Sequence, residues 1–350
     1  MNPLEKELSY PFGDQLPAPA TLLEVAPGLK WLRMPLPFAL DHINLWLLRD
    51  TVEGREGWSV IDCGVARPEV MALWEQVFAS ALDGLPIVRV IVTHMHPDHI
   101  GLADWLTRRF QAPLHMSATD FLTAHLHVCG QIVGTAQGMA DHFARHGVTD
   151  PDVLASIRQR THYFKELVPS VPPTFHQIQD GDLLIIGAHT WQAISGYGHA
   201  PEHLAFYSAG LGVLISGDMV LPRISTNVTV HDTHPEANPL QRYLHSLDRY
   251  LALPADTLVL PSHGRPFTGL HRRIQQQHTH HKTQLDQVKQ ACQTPSTAYD
   301  MLPILFRRQL DLHQLTFAMG EAIAHLHMLY YQGELARTQD SDGIFRFQAA

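Results

Sequence analysis

The chain has 350 residues, of which 45% are hydrophobic and 17% are charged, so it can bury a large core and lacks the composition of a disordered protein. Its net charge of −9 makes general binding of nucleic acid unfavourable. No apolar run reaches the roughly 18 residues of a membrane helix, and the N-terminal residues lack the apolar segment of a signal peptide. We therefore expect a cytoplasmic protein without a membrane partner.

In chain order, the first half of the sequence alternates short β-rich runs with helical patterns. An apolar i, i+3, i+4 pattern after Pro68 predicts a helix, because proline favours the first helical turn. Residues 119–168 contain no convincing strand and are too long for a loop, which predicts a helical insertion. Apolar runs bounded by turn residues predict strands at 28–34, 43–49, 58–62, 87–93, 174–178, 183–186, 190–195, 204–208, 213–216 and 257–260.

The last part of the chain is mostly helical, with helices predicted at 269–292, 296–308 and 312–332. A hairpin centred on Asp342-Gly343 follows these helices. Three helices and a terminal hairpin are typical of a winged-helix module. We therefore predict a catalytic domain over 1–268, which includes the insertion, and a small helical, winged-helix-like domain over 269–350.

The charge of the C-terminal part bears on what it binds. Residues 265–350 carry nine basic and seven acidic side chains, a net charge of +2 that is small for a nucleic-acid footprint. We interpret this part as a packing or homodimerisation element, with substrate shaping and nucleic-acid contact as the alternatives. His278, His280 and His281 on its long helix are interpreted as a solvated face.

The chain has 25 histidines, as many as lysine and arginine together. The segment Thr93-His94-Met95-His96-Pro97-Asp98-His99 places three imidazoles and a carboxylate on a loop that leaves a strand. His94 and His96 can face one centre, and the bend at Pro97 turns the last two residues toward a second. Neutral imidazole nitrogen and carboxylate oxygen are the ligands that a borderline divalent cation prefers. The segment therefore predicts a metal-binding loop.

Four further candidates lie directly after an apolar run, namely Asp62, His199, Asp218 and His263. In layered α/β folds, the ends of strands are where side chains from distant parts of the sequence converge. We therefore expect these residues and the histidine loop to meet at one edge of the fold.

This ordered set of residues resembles the metallo-β-lactamase superfamily over about residues 20–270. The resemblance implies an α/β protein with a four-layer αβ/βα sandwich and a metal site at one edge. It implies a first metal bound by His94, His96 and His199, a second bound by Asp98, His99 and His263, and a bridge formed by Asp218. It also implies that Asp62 supports the histidine loop from outside the ligand set.

Two positions separate the chain from known branches of the superfamily. Zinc β-lactamases commonly carry cysteine where this chain has Asp218, and flavodiiron proteins carry glutamate where it has His96. These differences disfavour antibiotic hydrolysis and oxygen reduction. The resemblance then points to the glyoxalase II, lactonase and thioesterase-like branch, with a nuclease branch close to it.

The chemistry implied is hydrolysis of a small-molecule thioester, ester or lactone by a hydroxide shared between two divalent cations. Zinc is the cation we expect, with iron or manganese as alternatives, and Asp98 or Asp218 is the catalytic carboxylate that moves a proton. A metal-dependent nuclease or phosphodiesterase is the alternative enzyme. A DNA-binding regulator that senses metal is the alternative from another class.

Three residues are predicted to contact the substrate, namely Tyr197, Arg223 and Asn227. Tyr197 precedes His199 and could donate a hydrogen bond to an oxyanion. Arg223 and Asn227 follow Asp218 on a loop expected at the rim of the site, where Arg223 could meet a carboxylate or phosphate. A structural ion pair is an equal alternative for Arg223.

Overall fold

The computed structural model describes residues 2–38, 40–130, 136–160 and 163–350. The strands are β1 (Leu23–Ala26), β2 (Leu29–Pro35), β3 (His42–Val52), β4 (Arg55–Ile61), β5 (Ile87–Ile91), β6 (Leu114–Met116), β7 (His176–Gln177), β8 (Leu183–Ile186), β9 (His189–Gly196), β10 (His203–Ser208), β11 (Val213–Gly217), β12 (Leu258–Pro261), β13 (Leu335–Gln339) and β14 (Phe345–Ala349).

The α-helices are α1 (Pro68–Ser80), α2 (Pro97–Ile100), α3 (Ala103–Phe110), α4 (Ala118–Cys129), α5 (Ala136–Arg145), α6 (Pro151–Arg158), α7 (Tyr163–Leu167), α8 (Pro239–Arg249), α9 (Leu270–Ala291), α10 (Ala298–Leu305) and α11 (Leu312–Tyr331). Across the described residues, we find no helix with both the length and the hydropathy needed to cross a membrane.

The first sheet contains β1 to β7 in sequence order. Its first four strands are antiparallel, whereas β4, β5, β6 and β7 are parallel to one another. Because side chains alternate along a strand, Leu45 and Leu47 of β3 face one side of the sheet. There they share an apolar core with Trp74 of α1 and Leu106 of α3. Helices therefore cover this face of the sheet.

The second sheet has the strand order β12-β11-β10-β9-β8, with β11 and β12 parallel and the other neighbours antiparallel. Trp46 and Leu48 of β3 point to the opposite face from Leu45 and share a core with Trp191 of β9 and Phe206 of β10. The two sheets therefore pack face to face through this second core. The predicted α/β class and αβ/βα sandwich are confirmed.

The chain forms two compact units, and both of these sheets belong to the first. The first unit comprises Met1–Gln131, Tyr163–Thr226 and Arg249–Arg273, and the second comprises Ile132–His162, Asn227–Asp248 and Ile274–Ala350. The helices α5 and α6 of the predicted insertion belong to the second unit, whereas α4 and α7 belong to the first. The domain boundary at residue 268 stays a prediction.

The second unit contains most of α9, all of α10 and α11, and the antiparallel hairpin of β13 and β14. Three helices followed by a hairpin is the predicted order of elements. The interpretation of the α9 histidines as a solvated face is wrong for His281, which is 0% exposed. Its Nδ1 lies 3.3 Å from Nε2 of His325 on α11, so a polar side chain of α9 forms part of the packed interior.

Glu321 is a carboxyl group in the interior of the second unit, where it is 7% exposed on α11. Burial raises its pKa to about 7, although a hydrogen bond from Asn227 acts in the opposite direction. A carboxyl group whose pKa is higher in the folded state binds more protons folded than unfolded. Its contribution to stability is therefore largest at acidic pH and falls as the pH rises from 4.5 through 7.

We predict that Glu321→Gln matches the wild type in stability at pH 5 and exceeds it at pH 8 by up to about 3 kcal/mol, because one pKa unit corresponds to about 1.4 kcal/mol. Urea unfolding at both pH values measures this difference. Glu334→Gln is the control, since Glu334 is a half-buried carboxylate that is paired with Lys289. Equal pH profiles for the wild type and Glu321→Gln would contradict the prediction.

The core between the sheets generates a second prediction. Ile186 of β8 is 1% exposed within this core, whereas the adjacent Ile185 is 71% exposed. Ile186→Ala should lower the free energy of unfolding by about 2–5 kcal/mol, because it removes buried methyl groups and leaves a cavity. Ile185→Ala should change it by less than about 0.5 kcal/mol. Chemical denaturation of the two variants compares them directly, and similar losses would show that β8 does not pack as described.

Candidate metal centre

The first group of ligand atoms converges where β5 leads into α2. Pro97 occupies the first turn of α2 and ends the extended segment, so His94 and His96 project from the loop just before the helix. Nε2 of His94 lies 2.8 Å from Nδ1 of His96 and 3.2 Å from Nε2 of His199. Nε2 of His199 lies 3.3 Å from Oδ2 of Asp218. Three imidazoles and one carboxylate thus point at a common centre.

The second group combines the end of the same loop with the turn after β12. Oδ2 of Asp98 lies 3.4 Å from Nε2 of His99 and 3.4 Å from Nε2 of His263. Within each group the ligand atoms lie within 4.8 Å of one another, and both groups could hold a metal ion.

Asp218 faces both groups with different oxygen atoms. Its Oδ2 is directed to His199 of the first group. Its Oδ1 lies 3.6 Å from Nε2 of His99 and 3.3 Å from Nε2 of His263 in the second. A carboxylate in this position is able to bridge two cations.

The donor atoms themselves fit a divalent cation. Nε2 of His99 and Oδ1 of Asp218 are buried and have no hydrogen-bond partner within the described part of the chain. A buried polar atom without a partner is unfavourable, and a coordinated cation would satisfy it. Imidazole and carboxylate together are the ligand types that zinc, iron and manganese accept.

Histidines of the two ligand groups differ in the direction in which their pKa values are shifted. Burial and repulsion from neighbouring imidazoles keep the pKa values of His94 and His96 well below the usual range, so both rings are neutral and able to ligate. Burial also acts to lower the pKa of His263, but Asp218 and Asp98 outweigh it and raise that pKa to about 10. Although burial acts in the opposite direction, His263 and His99 hold the pKa of Asp218 well below its usual range. A cation bound by the second group would take the place of protons.

Asp62 binds the His99 ring through Nδ1, the ring nitrogen that does not face the metal centre. The Nδ1–H group of His99 donates to Oδ2 of Asp62 at 2.8 Å, which leaves Nε2 directed at the centre. The carboxylate also accepts the Thr93 backbone N–H at 2.8 Å and the Thr93 hydroxyl. Asp62 has a φ of +64°, a left-handed conformation that aspartate tolerates and that is common at functional sites.

The backbone around His263 is fixed by β3. The Nδ1–H group of His263 donates to the His42 carbonyl at 2.7 Å, and the Gly264 N–H donates to Nε2 of His42 at 2.8 Å. Nδ2 of Asn44 donates to the carbonyls of Pro261 and Gly264, each at 2.8 Å. The turn carrying this ligand is therefore tied to the first sheet on both sides of His263.

His203 is a buried residue of the site that the sequence did not single out. Its Nε2 accepts the Asp218 backbone N–H at 3.1 Å, and its ring centroid lies 4.9 Å from that of His94. Gly217 has a φ of +53°, and a Cβ atom there would collide with the His203 ring. His203 is the first residue of β10, whereas the residues that the sequence marked follow the ends of strands. Attention to strand starts that face the same edge would have found it.

The predicted substrate residues lie in different places. Tyr197 is half-buried in the loop after β9, close in sequence to His199. Arg223 forms an ion pair with Glu5, with 3.2 Å between Nε and Oε2, which is the structural arrangement named as its alternative. Asn227 belongs to the second unit, where its side chain accepts the Thr229 hydroxyl at 2.7 Å. Their contact with substrate stays a prediction.

Two facing groups of imidazole and carboxylate ligands at the edge of an αβ/βα sandwich define a metal-dependent hydrolase. Residues 40–263 match the family model described as the Metallo-beta-lactamase superfamily, so the chain belongs to that superfamily, as the resemblance in sequence predicted. Residues 285–350 match the model described as the Metallo-beta-lactamase-like, C-terminal domain. That match identifies residues 285–350 as a C-terminal domain that occurs in this superfamily. It gives no support to the predicted winged-helix module.

Several known proteins are similar to this chain in sequence or in structure. A beta-lactamase domain protein from Burkholderia ambifaria is 52% identical and has a TM-score of 0.94 over 100% of both chains. A metallo-beta-lactamase family protein from Thermus thermophilus is 26% identical, with a TM-score of 0.76 over 93% of this chain and 100% of that one. A probable metallo-hydrolase from Bacillus subtilis (strain 168) is 25% identical over 85% of this chain and 91% of that protein. Hydroxyacylglutathione hydrolase from Rhodobacter capsulatus is 33% identical over 65% of this chain and 64% of its own length.

The bond between Asp62 and His99 gives a testable prediction. Asp62→Asn keeps an oxygen for Thr93 but turns an NH₂ group toward the Nδ1–H of His99, so metal affinity should fall by about 10–100-fold. Competition with a chromophoric chelator measures the affinity. Asp83→Asn is the matched control, because Asp83 also has a positive φ, of +54°, but is exposed. Unchanged affinity in Asp62→Asn would show that the bond plays no part in holding metal.

Proposed function

We propose that the protein is a binuclear hydrolase that cleaves the thioester, ester or lactone bond of a small molecule. Its first cation would be held by His94, His96 and His199, its second by Asp98, His99 and His263, and both by Asp218. The observation that carries the proposal is the Asp218 carboxylate, which directs Oδ2 to the first group and Oδ1 to the second.

The relatives support the choice of substrate class. The Rhodobacter capsulatus relative is named hydroxyacylglutathione hydrolase, and an acyl group joined to the thiol of glutathione is a thioester. The chain also has Asp218 and His96 at the positions where zinc β-lactamases and flavodiiron proteins carry cysteine and glutamate. A thioester is therefore the first substrate to test, followed by lactones and esters.

The role of each residue in the proposed mechanism follows from the charged groups and hydrogen bonds around it. When bound by these residues, divalent cations, zinc first and iron or manganese as alternatives, would supply Lewis acidity that lowers the pKa of water and polarises a carbonyl oxygen. Asp98 is ionised, because His99 and His263 hold the pKa of its carboxyl group below the usual range even though burial opposes them. Asp98 or Asp218 is the carboxylate that would accept a proton and pass it to the leaving group. His203 accepts the backbone N–H of Asp218 and so holds the backbone from which that side chain projects.

We also propose domain boundaries, substrate contacts and a location for the protein. We propose residues 1–268 as the catalytic domain and residues 269–350 as an accessory domain for packing or homodimerisation. Tyr197, Arg223 and Asn227 are the proposed substrate contacts, and the cytoplasm is the proposed location.

We predict that His96→Ala and Asp218→Ala reduce hydrolysis to less than about one-hundredth of the wild-type rate, because each removes a ligand from the centre that supplies the nucleophile. Protein purified without added metal should contain about two divalent cations per chain by elemental analysis. The same preparations are assayed on a panel of thioesters, lactones and bis-nitrophenyl phosphate.

His245→Ala is the control for loss of an imidazole, since His245 is an exposed residue of the second unit. Turnover of the phosphodiester alone would favour the nuclease alternative over the acyl substrates. Full activity in either ligand variant, or no recoverable metal in the wild type, would overturn the proposal.

A further inference from the structure

Asp120 is a buried carboxylate outside both ligand groups. It is 0% exposed and lies in the first turn of α4. Its Oδ1 accepts the backbone N–H of Met95 at 2.8 Å, and its Oδ2 accepts the backbone N–H of Glu202 at 2.7 Å. Hydrogen bonds to a carboxylate at these distances are short and strong, and burial strengthens them further.

The two amides belong to the two loops that supply the imidazoles of the first ligand group. Met95 lies between His94 and His96 on the loop after β5. Glu202 lies between His199 and His203 on the loop after β9. One side chain therefore ties together two loops that are distant in sequence and that come from different sheets.

The position of Asp120 within its helix makes this arrangement unusual. Asp300 occupies the same position of α10, three residues after the capping threonine, and its Oδ2 accepts the Thr297 backbone N–H at 2.8 Å in a closed capping box. In α4 the hydroxyl of Ser117 caps the helix and donates to Oδ2 of Asp120 at 3.3 Å, but the two backbone N–H groups that the carboxylate accepts belong to the loops. The carboxylate at the start of α4 thus binds the two loops that carry the ligands, and it does not close a capping box.

We propose that Asp120 is a positioning residue for the first ligand group, which sets the separation between His199 and the His94–His96 pair. The inference rests on the proposed function for the existence of that metal site. Asp120 has no role in the chemical step, and it acts through the backbone at Met95 and Glu202. Two N–H groups require two acceptor oxygens, so the amide of an asparagine would leave one of them facing an NH₂ group.

The test is titration of metal-free wild type, Asp120→Asn and Asp300→Asn with Co²⁺, following the d–d absorption bands and the affinity of each equivalent. Asp120→Asn should weaken the equivalent bound by the three-histidine group by about 10–100-fold and change its absorption bands. Asp300→Asn makes the same substitution at the same helix position in the second unit, and it should bind Co²⁺ like the wild type. Thermal unfolding of both variants measures the loss of fold stability separately.

The outcomes separate this inference from the proposed function. A wild type that binds no Co²⁺ would overturn the proposed function and this inference with it. A wild type that binds Co²⁺, with Asp120→Asn identical in affinity and spectrum, would overturn only the role of Asp120. Should Asp120→Asn fail to fold, hydrogen exchange in the metal-free wild type decides. The amides of Met95 and Glu202 should exchange as slowly as that of Leu204, which donates to the Thr93 carbonyl, and rapid exchange would overturn the inference.

Discussion

The shared carboxylate of Asp218 is the interaction on which the rest of the site depends. It is 7% exposed and lies among imidazoles from several segments of the chain, so its charge needs partners in a region that is largely shielded from bulk water. Each neighbouring element contributes to holding it: His203 accepts its backbone N–H, Gly217 makes room for that ring, and His263 and His99 balance its charge. The sandwich is the scaffold that brings these groups to one edge.

The resemblance carried by the histidine loop predicted the fold and named the candidate ligands, which lie on the loop, turn or short helix that follows a strand with a clear apolar pattern. The parts that it did not predict depend on contacts between distant segments. Asn44 bonds the carbonyls of Pro261 and Gly264, more than 200 residues away, and nothing local marks it. Asp120 has the pattern of an ordinary helix cap, and only the folded chain shows that its oxygens bond Met95 and Glu202.

The same dependence on contacts between distant segments explains where the structure differs from the predictions made from the sequence. The strand predicted at 174–178 is reduced to His176–Gln177, because only two residues pair with β6. His281 was expected in solvent from the polarity of α9, yet His325 from a helix much later in the chain covers it. Asn227 was expected at the rim of the site because it follows Asp218 closely in sequence. Its side chain accepts the Thr229 hydroxyl within the second unit, and its place at the rim of the site stays a prediction.

The hydrogen bonds that join the two sheets have a consequence for how the protein folds. The Leu204 N–H donates to the Thr93 carbonyl and the Asn44 N–H to the Ser262 carbonyl, so segments far apart in the chain meet at this edge. Contacts of such long sequence separation cost loop entropy before they stabilise the chain, and this slows folding. Neither sheet alone carries a complete ligand set. A cation bound at this edge would therefore stabilise the chain with both sheets docked relative to the unfolded chain.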